Sequence, residues 1–114
     1  MQVLYEDNHI IAVSKTCHEI VQGDKTGDTP LSDVVKAYIK EKYQKPGEVF
    51  LGVTHRLDRP TTGVVLFART SKALTRLNAM FQSHEQSQKT YWAIVPANPQ
   101  LPLTNRLENY IWRN

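Results

Sequence analysis

Thr54-His55-Arg56-Leu57-Asp58-Arg59-Pro60-Thr61-Thr62-Gly63 runs directly into Val64-Val65-Leu66-Phe67-Ala68, and this junction decides how the chain is read. The five apolar residues after Gly63 have the length and bounding turn signals of a buried strand. One carboxylate, Asp58, stands between the guanidinium groups of Arg56 and Arg59, with the imidazole of His55 three residues before it. Pro60 fixes one backbone dihedral, and Gly63 permits a tight entry into the strand. A stiff polar loop feeding a buried strand is a place where a scaffold holds reactive groups. Asp58 is therefore expected to be held rather than free, and opposite charge alongside favours an ionised carboxylate.

Upstream, Val3-Leu4-Tyr5 and His9-Ile10-Ile11-Ala12-Val13 are apolar runs split by Glu6-Asp7-Asn8, which reads as a hairpin. Residues 21–29 form a polar loop punctuated by Gly23 and Gly27. Asp28 or Thr29 then caps a helix with Pro30 in its first turn. Leu31, Val34, Val35, Tyr38 and Ile39 give that helix an apolar stripe, while Lys36, Lys40, Glu41 and Lys42 form a solvated face. Pro46-Gly47 ends it, and Val49-Phe50-Leu51-Gly52-Val53 reads as a short strand entering the central loop.

Downstream, Thr70 or Ser71 caps a second helix striped by Leu74, Leu77, Met80 and Phe81. Arg69 opposes the dipole of that helix and suits a partner or a surface accident equally. Lys89-Thr90-Tyr91-Trp92-Ala93-Ile94-Val95 is apolar on both alternating faces and reads as a strand covered on both sides. Trp92 and Phe67 are assigned to the core. The expected fold is α+β, a largely antiparallel sheet with flanking helices. Strands are expected near 2–5, 9–14, 49–53, 63–69 and 89–96, and helices near 30–43 and 71–84.

The central loop also resembles a known family. His55-Arg56-Leu57-Asp58-Arg59 with Thr61-Thr62-Gly63 is similar to the H-R-L-D-x-x-T-S-G signature of the RluA-type pseudouridine synthases, Thr62 standing where serine is usual. The hairpin is similar to that family's opening, and Ser14-Lys15-Thr16-Cys17-His18 matches its N-K-P-x-G loop in the lysine alone. Lys89-x-Tyr91-x-Ala93-x-Val95 resembles the family's K-x-Y-x-A-x-V motif, at a compatible interval. The resemblance implies a partial pseudouridine synthase catalytic domain, its N-terminal part, because the family's later G-R-x-H-Q-I-R motif has no counterpart here. It implies that Asp58 is the catalytic carboxylate and that Tyr91 packs on the target base. Arg56 would fill the space vacated by the flipped nucleotide or hold a phosphate. His55, Arg59 and Thr62 are supporting residues, His55 in a structural role. RNA, ribosomal or transfer, is the implied partner.

Composition sets the outer limits. The 114 residues, 40% hydrophobic and 22% charged with net charge +3, suit a single domain over 1–114 and a polyanionic partner. A lone Cys17 excludes an internal disulfide. His9, His18, His55 and His84 lack ligand spacing, so no metal is expected, and the isomerisation needs no cofactor. The absence of a long apolar run or signal peptide points to a cytoplasmic protein without a membrane segment. Taken alone, an aspartate beside arginines is more often a surface ion pair, and it is the second motif that selects catalysis. The rival readings are a non-catalytic RNA-binding fragment or degenerate copy of the same fold, and more distantly a hydrolase using His55 with Asp58.

Overall fold

The computed structural model describes residues 1–113. Its elements are β1 (Gln2–Glu6), β2 (Ile10–Lys15), α1 (Leu31–Lys42), β3 (Gly52–Val53), β4 (Gly63–Ala68) and α2 (Ser71–Gln82). The sheet order is β1-β2-β4-β3, and every pairing is antiparallel. The first hairpin turns where Asp7 Oδ1 accepts the amides of His9 and Ile10 at 2.7 and 2.8 Å, a side chain standing in for a backbone turn.

Pairing of β2 with β4 runs from Ile10↔Ala68 to Lys15↔Gly63. Because side chains alternate between faces, Ile11, Val13, Val65 and Phe67 share one face, where Leu31, Val35 and Ile39 of α1 cover them. The opposite face presents Ile10, Leu66 and Ala68 to Ala73 and Leu77 of α2. The two helices thus lie on opposite faces of one sheet, which is the α+β arrangement expected from the sequence. Within the α1 stripe Val34 departs from expectation, because it lies outside the buried arc and is exposed.

Three local expectations are corrected. The cap of α1 is neither Asp28 nor Thr29: Pro30 is the N-cap, without a side-chain bond. The free amides of Leu31 and Ser32 are taken instead by the carbonyls of Ile20 and Val21, at 2.7 and 3.1 Å. The strand expected over 49–53 shrinks to Gly52–Val53. Since Gly52 faces Ala68, residues 49–51 would have to pair with residues 69–71, which form the N-terminus of α2. There Thr70 caps the helix by accepting the Ala73 amide.

The third correction concerns residues 89–96, which form no strand. A segment apolar on both faces becomes a strand only where both faces are covered and a ladder is free to pair. Among the described residues the first condition is not met: Tyr91 is 63% and Trp92 96% exposed, so Trp92 is not core. Phe67, by contrast, is fully buried. Beyond Gln82 the chain forms no further helix or strand among the described residues, and residues 88–113 are exposed. The radius of gyration is accordingly 17.0 Å, against about 13 Å for a compact chain of this length.

Polar contacts join the hairpin to α1. Glu6 accepts from Tyr38 and Tyr43, at 2.6 and 3.0 Å, and pairs with Lys42, which the sequence had placed on the solvated face. Arg69 is likewise used internally: it donates to the Asp7 carbonyl and stacks 4.5 Å from the centre of the Tyr43 ring. The Lys42 ammonium, then the Tyr38 hydroxyl, hold the Glu6 carboxyl below its ordinary range. Its contribution is therefore complete above the unfolded carboxylate value of about 4.3 and is lost as pH falls through the lower folded value. Glu6→Gln should cost about 1 kcal/mol in urea unfolding at pH 7, and the gap from wild type should close in acid. An equal gap at both pH values would contradict this contact.

Candidate functional site

The loop between β3 and β4 has no ladder of its own, so its backbone groups need other partners. At its start, side chains continue the pairing that the strands abandon. Thr54 Oγ1 donates to the Leu66 carbonyl, and the Leu66 amide donates to His55 Nε2 at 3.0 Å. As an acceptor at Nε2, the neutral His55 ring carries its proton on Nδ1. Burial, and then the charge of Lys89, hold His55 below its ordinary value and so favour the neutral ring. The ring packs 5.1 Å from Phe81.

The far half of the loop is gathered around Lys15. This residue occupies the inward row of β2 after Ile11 and Val13, and it is 1% exposed. Its Nζ donates to the carbonyls of Asp58, Arg59 and Thr61 at 3.0, 2.8 and 2.8 Å, and to Thr16 at 2.9 Å. Burial lowers the Lys15 amine below its usual range. The converging carbonyl dipoles compensate the charge that burial strips of water. The turn itself closes through the Thr61 amide to the Asp58 carbonyl, at 2.9 Å. Asp58 is therefore fixed by its backbone, while its side chain is exposed.

Arg59 does not pair with Asp58. Its guanidinium donates to Asp28 at 2.8 Å and to the His18 carbonyl at 3.1 Å, and it lies 4.0 Å from Asp24. This ties the loop to residues 18–28. Arg56 is exposed, and among the described residues it forms no ion pair. Asp58, Arg56, Arg59 and His55 line one open cavity of about 700 Å³. Tyr91 and Thr62 line a neighbouring cavity of about 590 Å³ with Leu66, Phe81 and Trp92. Tyr91 thus lines the cavity that adjoins the one holding Asp58 and Arg56, with His55, Leu57 and Lys89 lining both.

With this geometry in place, comparison with known proteins decides the family. The family described as RNA pseudouridylate synthase matches residues 9–113. The chain belongs to the RNA pseudouridylate synthase family.

Family relatives include the tRNA pseudouridine synthase C of Pectobacterium carotovorum subsp. carotovorum, 35% identical over 95 residues, or 83% of this chain and 24% of that protein. The ribosomal large subunit pseudouridine synthase C of Vibrio vulnificus (strain CMCP6) is 31% identical over 93 residues, covering 82% of this chain and 27% of that protein. The solved structure of human RNA pseudouridylate synthase domain containing 4 superposes with a TM-score of 0.59 at 25% identity, over 71% of this chain and 29% of that one. The chain therefore spans roughly a quarter of the length of these family members. Among the described residues no helix is long and apolar enough to cross a membrane.

Within the loop, Gly63 has φ +149°, a backbone that L side chains rarely adopt, and an added Cβ would sit 3.4 Å from Leu57 Cδ1. Gly63 is also the register partner of Lys15. Gly63→Ala should destabilise the chain by about 1–2 kcal/mol, read as a lower urea midpoint. An unchanged midpoint would show that this backbone is not required.

Proposed function

We propose that the gene product carrying this sequence isomerises uridine to pseudouridine in transfer or ribosomal RNA, in the cytoplasm, with Asp58 as the catalytic carboxylate. The observation that carries this reading is an exposed carboxylate on a backbone pinned by a buried ammonium, at the position the signature assigns to it. The reaction breaks the C1′–N1 bond and joins the same ribose carbon to C5 of the detached ring. It needs a carboxylate beside the sugar, as nucleophile or as base, held where the sugar arrives. In this reading the target nucleotide leaves its stack to reach the loop. Arg56 meets the RNA backbone or fills the vacated space, and Tyr91 stacks on the uracil. His55, Arg59 and Thr62 support the loop. The chain would then be the N-terminal part of a single catalytic domain.

A second reading has one observation in its favour. Asp58 and Tyr91 line neighbouring cavities rather than one, which suits a piece that binds RNA without turning it over.

Asp58→Asn in the intact gene product separates the two. Tritium release or mass analysis on bulk RNA lacking the modification should show turnover abolished. RNA affinity should change little, because phosphate contacts dominate it. Full activity in the variant would remove Asp58 from the mechanism, and no activity in the wild type would favour the binding reading.

A further inference from the structure

Three side chains line both the Asp58 cavity and the Tyr91 cavity: His55, Leu57 and Lys89. Leu57 is apolar, and His55 is held neutral with Nε2 already bonded to the Leu66 amide. Lys89 alone brings a positive charge to the junction. Its Nζ stands 5.0 Å from the centre of the Phe81 ring, whose face attracts a cation. Among the described residues it pairs with no carboxylate. A charge seated at the seam of two cavities and uncompensated by any acid is available to a ligand that spans both.

The isomerase reading, on which this inference rests, puts the ribose at Asp58 and the uracil at Tyr91. The bond that breaks then lies at the seam. When C1′–N1 breaks, its electron pair leaves with the ring, giving a uracil anion whose charge spreads over N1, O2 and O4. The electron deficiency left at C1′ is met by the Asp58 carboxylate. C5 then bonds to C1′ as the Asp58 carboxylate is released from it, and C5 gives up its proton while N1 gains one, so atoms and charge balance without any oxidant. We infer that Lys89 is a catalytic residue whose ammonium holds the detached uracil as its anion, contacting a ring carbonyl oxygen. Such a contact is weak to the neutral base and strong to the anion, so it accelerates bond breaking rather than merely tightening binding.

The test uses the intact gene product and transcripts of tRNA and ribosomal RNA made with uridine or with 5-fluorouridine, following loss of the substrate nucleoside in a single turnover. Fluorine at C5 stabilises the ring anion by itself and lessens the need for Lys89. Lys89→Met should slow uridine turnover about a hundredfold while RNA affinity and the urea midpoint stay near wild type, and Lys89→Arg should retain most of the rate. On 5-fluorouridine the Lys89→Met defect should shrink at least about tenfold, a response that a purely structural lysine would not give. Equal defects on both nucleosides, or a loss confined to affinity, would overturn the inference. If wild type converts uridine, Asp58→Asn does not, and Lys89→Met matches wild type, the Lys89 role alone fails. If wild type converts none, the isomerase reading fails and this inference with it.

Discussion

A single buried ammonium organises the region that matters. Lys15 Nζ lies within 3.0 Å of four carbonyl oxygens, three of them from the loop that carries Asp58. An ammonium has three N–H groups, so the carbonyls share them. A buried lysine without such partners would be strongly destabilising, and a loop of inward-pointing carbonyls without a donor would be equally so. Each half of the arrangement is the reason the other is tolerated. It also leaves Asp58 exposed: the backbone is anchored from beneath and the residue lines the cavity.

The remaining contacts extend that anchoring outward. Arg59 carries the loop to Asp28 and the His18 carbonyl, and the same 16–30 segment supplies the Ile20 and Val21 carbonyls that cap α1. Thr54 and His55 fasten the other end of the loop to both backbone groups of Leu66. The loop is thereby tied to β2, β4 and the approach to α1, through polar contacts laid over the apolar core of the sheet. Those ties are half-exposed at Arg59 and solvent-free at Lys15, and the weight of the arrangement rests on the latter.

Much of this was legible because periodicity reports burial. The alternation of Ile11 and Val13 and the apolar run 64–68 mark the paired strands, but the strand expected over 9–14 stops one residue short of Lys15, whose place in the buried row only the structure shows. The helices followed from their stripes and the Thr70 cap. What escaped was partner choice. Nothing in the local pattern says that Arg59 prefers Asp28 to its neighbour Asp58, that Lys42 meets Glu6, or that Arg69 stacks on Tyr43, because these pairs are 26 or more positions apart. The strand expected at residues 89–96 failed for a related reason. Its pattern demands two covered faces, and pattern alone does not say what covers them.

The measurement closest to the central claim is native-state amide hydrogen exchange at Thr61, compared with Val65 and Phe67, in wild type and in Lys15→Met. The Thr61 amide closes the turn on the Asp58 carbonyl, so it reports whether the loop is held. If Lys15 pins the loop, Thr61 exchange should accelerate relative to the β4 amides by at least about tenfold, the scale of a lost hydrogen bond to a charged group. If Thr61 keeps its protection relative to Val65 and Phe67 after the substitution, the loop is held by something else and Lys15 does not position Asp58.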